Sequence, residues 1–587
     1  MITVEPSVPH PKNVSYSGAV TLKPGPVARR VQNAVTIYGG LPNENILKGF
    51  RQKAGLPTSG EGLAGWAKET SEVTFGQWVS GLARLSAVLG DSELRAKAAE
   101  LVDGYAATLP DPPRTGMMIY GWEKLVCGLV DAATFASYTP ALDLLCKVVR
   151  ADSFDLTRRL PVPNDFAGAG PAFTPEWYTL PENLYRGFLA TGDQALAEFA
   201  RLWHYEQYWE RFLAPSGPPA TWDIPVWLHA YSHVNTLSSL ASAFEVYDDP
   251  KYLSMLRNAH HWLRETQCYA TGGYGPSELM VPADGTLGRA LEWRSDTAEI
   301  VCGTWAVFKL CTALFQATGE ARYLEWPEAL FYNGIGAVSP VSPDGRSPYY
   351  ANYRLGWATK EEYWEQWPCC SGSYVQAVAH MSSFIYQQVE DGLAVGLFVP
   401  SQVTWSLDGV TAKLEQDTGF PASDETVLRL TMDQPQRYAL WLRLPAWARR
   451  VDVRLNDELL RTEQSSACDQ WLTIRREWSS GDRVALQFHP KVHALSVDQK
   501  HPDRVAIAYG PIVLAQDAAW SAPFSAPTPW PMVEWEELLT RHDGELRFSP
   551  AARGTARMPT GDFRPLSDIA DHHPYRVYHD LAAPRII

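Results

Sequence analysis

The spacing of hydrophobic positions changes character along this chain. Between about residues 41 and 390, segments such as TFGQWVSGLARLSAVLG, YGWEKLVCGLVDAATF and VNTLSSLASAFEVY carry apolar residues at i, i+3, i+4 and i+7. That is the signature of amphipathic helices. Four runs stop at similar turns: LGDSEL (89–94), TGDQAL (191–196), YDDPKY (247–252) and TGEARY (318–323). Gly ends a helix in such turns, and Asp caps the next one. A long series of hairpins with recurring turn chemistry but irregular spacing predicts a helical toroid of the (α/α)6 type rather than a strict solenoid.

Beyond about residue 390 the period falls to two. LAVGLFVPSQVTW, VLRLTMD, YALWLRLP, VDVRLND and RVALQFHP alternate apolar and polar residues, separated by turns such as SLDGV and SSGDR. This predicts a β-sandwich region over 391–587, in one module or two. Residues 1–40 contain strand-like pieces without a helical period, and they are expected to pair with the sandwich. The predicted fold is therefore α + β and multidomain, with 41–390 as an α/α-barrel catalytic domain. Three loops, 155–181, 213–228 and 269–295, are long and rich in Pro, Trp and Gly, as functional loops often are.

Composition narrows the partners. The formal net charge of −15 is the wrong sign for a nucleic-acid binder. No basic segment followed by an apolar one opens the chain, and no run approaches about 18 apolar residues. Neither a secretion signal nor a membrane span is expected, so the expectation is a cytoplasmic protein, with a homodimer left open. The 23 Trp and 26 Tyr suit both core packing and stacking on sugar rings.

Eight cysteines in 587 residues do not make a disulfide scaffold. Most read as small buried hydrophobes. Cys369 and Cys370, between a Pro and Ser-Gly-Ser, instead read as part of a turn. Two further segments gather polar residues. TGGYGPSE forms a tight loop ending in Glu278, which presents a carboxyl group or is simply a solvent-facing turn. In Asp296-Thr-Ala-Glu299-Ile-Val-Cys302, a helix starting at Asp296 makes Glu299 part of a capping box. The same helix sets Glu299 and Cys302 at i and i+3, on one face. One carboxylate and three thiolates form a four-ligand set suited to zinc. A thiolate opposite a carboxylic acid also reproduces the two-residue logic of retaining glycoside hydrolysis, with sulfur replacing one carboxylate.

LPNENILKGFRQKAGL (41–56), YGWEKLVCGLVDA (120–132), SHVNTL (232–237), TGG-x-G-x-x-E, the Glu–Cys element, PCC and PYRVYHDL (574–581) together resemble the glycoside hydrolase family 127 group. That group was formerly known as domain of unknown function 1680, and its founding members are β-L-arabinofuranosidases. The resemblance implies Cys369 as nucleophile and Glu278 as general acid/base. It implies a zinc site of Glu299, Cys302, Cys369 and Cys370, and His233 as a sugar contact. Trp122, Tyr274 and Trp367 are expected to line the pocket, and Gln77 stands where the family has His. Characterised members have Glu-x-Cys, so the extra residue here puts Val301 in register with the ligand. The implied substrate is an oligosaccharide or glycoconjugate ending in L-arabinofuranose or another unusual sugar, such as 3,6-anhydrogalactose. Two other classes compete: a polysaccharide lyase with a base among His229, Tyr231 and His233, and a carbohydrate-binding protein without activity.

Overall fold

A computed structural model describes residues 1–152, 176–216, 228–356, 358–360, 364–464, 466, 468–517, 539–542, 544–550 and 561–581. Parts of the 155–181 and 213–228 loops therefore lie outside the described residues. Six helices, Phe75–Leu89, Ile119–Phe135, Leu180–Thr191, Ala230–Tyr247, Ile300–Thr318 and Cys369–His380, form a closed inner ring. Each packs on the next, and the last returns to the first. An inner helix is enclosed on all sides, so nearly every position must be apolar or small. Every residue of Cys369–His380 and every residue from Phe75 to Val88 is buried. Ile300–Thr318 is long and apolar enough to cross a membrane by composition, and here it serves as barrel wall.

An outer helix backs each inner one: Ser92–Ala106, Pro140–Ala151, Gln194–Arg201, Pro250–Thr266, Glu325–Asn333 and, closing the set, Pro26–Ala34. Most of these bury one stripe and face solvent on the other, whereas Glu325–Asn333 has no exposed residue and packs on the C-terminal sheet. The connecting turns behave as their chemistry dictates. Gly90 ends the first inner helix at φ 66°, and Asp91 accepts hydrogen bonds from the Glu93 and Leu94 N–H groups to start the next.

The N-terminal segment is mixed. Ile2–Glu5 pairs with Gln470–Trp478, Lys12–Asn13 with Tyr386–Val389, and Val20–Leu22 with Ser401–Leu407. Residues 26–39 are helical, contrary to the strand-like reading of this stretch. Pro26 sits in the first turn, where its missing N–H costs nothing, and Val27, Val31 and Ala34 form the buried stripe. Two sheets of six and seven strands make the sandwich, and each takes strands from the N-terminus. An eight-stranded sheet built from residues 492–580 follows. Barrel and sandwich share one hydrophobic core. Across their junction, buried Arg443 donates to Asp469 at 2.6 Å and to Glu328, on an outer helix, at 2.7 Å.

Candidate active site

The N-terminal turns of the inner helices meet at one end of the barrel. Cys302 and Cys369, near two of these starts, touch, and Tyr178, just before a third, reaches Ser232 at the start of a fourth. Helix N-termini carry exposed N–H groups and partial positive charge, so this end favours anions and thiolates.

Cys369 and Cys370 are the first two residues of their helix, with Pro368 as N-cap. The expected turn is thus a helix start: Pro368 tolerates the position, and the small residues after it allow close packing. A side chain at Gly372 would overlap Gln77, with only 2.4 Å to Gln77 Oε1. Glu299 arrives differently from the sequence reading. The helix begins at Ile300, not Asp296, because Ala298–Glu299 pairs with Tyr350–Ala351 as a short strand. No capping box forms, and Asp296 instead accepts from Arg294. The non-helical backbone at Glu299 (φ −75°, ψ 87°) takes up the extra residue of the Glu-x-x-Cys spacing, so Cys302 rather than Val301 joins the cluster.

One donor atom each from Glu299, Cys302, Cys369 and Cys370 lies within 4.8 Å of the others, all four residues buried. Cys302 Sγ is 3.7 Å from Cys369 Sγ and 3.4 Å from Cys370 Sγ, and Cys370 Sγ is 3.7 Å from Glu299 Oε1. Glu299 Oε2 faces His229 Nε2 at 3.4 Å, and its Oε1 faces the cysteines. This donor set can hold a metal ion. Hydrogen bonds from Cys302 and Cys370 pull the Cys369 thiol well below its usual range, with help from Lys124 and Tyr120. Burial pushes Cys302 and Cys370 up. The cluster thus favours one thiolate, on Cys369.

Carboxylates crowd the opposite side. His229 Nδ1 lies 3.1 Å from Glu176, and its Nε2 lies 3.4 Å from Glu299 and 3.7 Å from Glu278. Burial disfavours the imidazolium, but Glu176 and Glu299 outweigh it and raise the His229 pKa well above the usual range. Glu299 is pushed up to about 7 by burial, against the pull of His229. Glu278 is partly exposed and accepts from the Tyr350 hydroxyl through Oε1. Its own backbone (φ 62°), with Ser277 (56°), Glu176 (57°) and Trp367 (50°), is left-handed. Such strain in non-glycine residues concentrates where side chains must be aimed.

The remaining expected residues are distributed less evenly. Tyr274 donates to Gly303 O, one residue after Cys302. Gln77 donates to Ser373 on the cysteine helix. His233 is buried among Tyr178, Tyr205 and Tyr208, and burial drives its pKa down to about 3. Trp367 packs edge-on against Trp78 and Tyr38, and Trp122 donates to Asp152. Both are buried. His229, read as a lyase base, faces three carboxylates that would repel an acidic sugar.

Sequence reasoning misses Glu176, Tyr120, Tyr349 and Tyr350. Tyr349 has its hydroxyl 3.9 Å from Cys369 Sγ, and Tyr350 holds Glu278. The adjacent Tyr pair in SPYYAN is the signal that could have found the last two.

The family model of the β-L-arabinofuranosidase GH127 catalytic domain matches residues 19–383. The model of the GH127 middle domain matches residues 392–489. The chain belongs to the GH127 family. The fold agrees with solved GH127 structures. It matches a GH127 β-L-arabinofuranosidase from Geobacillus stearothermophilus T6 at 18% identity and a TM-score of 0.70, covering 96% of this chain and 100% of that one. It matches the GH127 β-arabinofuranosidase BT3674 at 17% identity and a TM-score of 0.68, covering 98% of each. No curated protein matches the sequence. As a GH127 member the protein is a glycosidase, and its substrate is a carbohydrate.

Proposed function

We propose that this GH127 protein is an exo-acting, retaining β-L-arabinofuranosidase-type enzyme with Cys369 as nucleophile and Glu278 as acid/base. The observation that carries this reading is the placement of Cys369 at a helix N-terminus in a cluster with Glu299, Cys302 and Cys370, with His229 linking Glu299 to Glu278, which Tyr350 also holds. The Cys369 sulfur attacks the anomeric carbon as the bond to the leaving oxygen breaks, and Glu278 gives that oxygen its proton. Glu278 then takes a proton from water, the water oxygen bonds to the anomeric carbon, and the carbon–sulfur bond breaks to restore the thiolate. Two displacements retain configuration.

Glu299, Cys302, Cys369 and Cys370 suit zinc. The sulfur separations of 3.4 and 3.7 Å approach the edge, about 3.8 Å, of a tetrahedron with Zn–S bonds of about 2.3 Å. Bound there, zinc would keep the sulfurs deprotonated and oriented. The terminal sugar is L-arabinofuranose or a related uncommon sugar.

The test combines aryl and methyl glycosides with mass analysis of a slow substrate's adduct and metal content on the same sample. Cys369→Ser should lose roughly 10³-fold or more in kcat and form no adduct. Wild-type turnover by that variant, or an adduct on another residue, overturns the assignment.

A further inference from the structure

Lys124 is a buried cation whose local partners do not account for it. Its side chain is 3% exposed, and Nζ has no hydrogen-bond partner among the described residues. An ammonium carries three donors. The carboxylate of Glu123 lies at 3.7 Å, too far for a hydrogen bond, and the Tyr120 ring lies at 3.4 Å. Other buried cations of the barrel are bonded directly to carboxylates: Arg84 and Arg186 to Asp131, and Lys309 to Glu182. Leaving a buried charge without hydrogen bonds costs several kcal/mol in general, so a group that keeps one is a candidate for function.

Its position says which function. Tyr120, Lys124, Cys127 and Asp131 follow the i, i+4, i+7, i+11 spacing along one face of Ile119–Phe135. Asp131 takes bonds from the neighbouring inner helices through Arg84, Ser80 and Arg186, so this face points to the barrel axis. At the same level, a Cβ on Gly76 would lie 1.8 Å from the Lys124 carbonyl oxygen, and the next residue, Gln77, packs on Gly372 and donates to Ser373 of the cysteine helix, so Lys124 shares the layer of that helix's first turn, where its charge favours the Cys369 thiolate. The ammonium therefore belongs to the axis-facing wall of the barrel, in the layer of the cysteines. Glu176, Glu278 and Glu299 occupy the other side. Three carboxylates disfavour an anionic ligand, which leaves a neutral hydroxyl as the acceptor.

We propose that Lys124 is a substrate-binding residue that donates a hydrogen bond to a hydroxyl oxygen of the terminal sugar held at Cys369. The proposal rests on the glycosidase reading of this site but not on which atom attacks. Retained activity in Cys369→Ser therefore removes the nucleophile without touching Lys124.

The experiment compares wild type and Lys124→Met on a methyl glycoside and on its singly deoxygenated analogues. Lys124→Met keeps the length of the apolar stem and removes the donors. Its kcat/KM on the parent glycoside should fall roughly 10- to 100-fold, as for a lost bond to a charged group. One deoxy analogue should be cleaved equally by both proteins, because its partner is already missing. Lys124→Gln keeps the comparison open if the methionine variant does not fold. Full activity in the variant overturns the proposal. So does an equal further loss for every analogue, which would mark a residue acting only through the sulfur.

Discussion

The two ends of the barrel interior both bury charge, and they treat it oppositely. At the lower end, Asp131 is completely buried and fully bonded: it accepts from Ser80, from Arg84 Nε at 2.7 Å and from Arg186. Arg84 is further enclosed by the Phe135 and Trp305 rings, 4.5 and 5.0 Å away. At the mouth the pairing is looser, with His229 3.1 to 3.7 Å from three carboxylates. Glu299 is pushed up to about 7, Lys124 has no acceptor among the described residues, and Glu278 sits on a strained backbone. A satisfied buried ion network positions helices, whereas an unsatisfied one keeps bonding capacity in reserve for something that is not protein. The same six helices supply both ends, so the difference lies in side chains rather than in fold.

The sharpest test of this contrast is at the mouth. Glu278→Gln removes the transferable proton but keeps the shape and one hydrogen-bond partner for Tyr350. The turnover of a methyl glycoside should fall roughly 10²- to 10⁴-fold. With an aryl leaving group that departs without protonation, glycosylation should be spared and the remaining loss should appear in the water step. Equal losses on both substrates would count against a proton-transfer role. The melting temperature should stay close to wild type, because Glu278 is not part of a closed network.

The lower end should give the reverse. Asp131→Asn leaves two buried guanidinium groups without their counter-charge, a change that costs about 3–5 kcal/mol when one partner of a buried pair is removed. Urea unfolding should show the loss, while kcat per folded molecule changes little. A variant as stable as wild type would mean that the two arginines find other partners, and the contrast between the ends would fail.

This contrast is only half legible in the sequence. The helical period and the Gly–Asp turns announce the toroid because inner helices need apolar residues on every face. The alternation after residue 390 announces the sandwich. Cys369–Cys370 stands out because two thiols beside Pro and Ser-Gly-Ser do not fit a core stripe. What escapes depends on contacts distant in sequence. Glu299 enters the site because a two-residue strand pairs with Tyr350, and that pairing overrides the capping box the local sequence offers. Glu176 matters through His229, which lies 53 residues further along, and Lys124 looks in sequence like an ordinary polar position of an amphipathic helix. Pro26 fits a strand-rich stretch on composition, although the first turn of a helix accepts it equally well.

A smaller effect separates the two ends by pH. Burial alone would raise the Asp131 carboxyl, but Arg186 and Arg84 outweigh it and hold it at about 2, against an ordinary value of 3.8. A carboxyl group depressed by folding stabilises the native state above its unfolded pKa, and the contribution is lost as pH falls through the folded value. The window is therefore from about pH 4 down to 2, and the difference is worth about 2 kcal/mol. Other carboxylates titrate in the same range, so the quantity to measure is the stability gap between wild type and Asp131→Asn. That gap should be wide at pH 6 and narrow by about 2 kcal/mol as pH falls to 2, because acid protonates the carboxylate that the variant already lacks. A gap that stays constant across the window would mean that the charge of Asp131 is not what closes the lower end, and that packing around Arg84 does so instead.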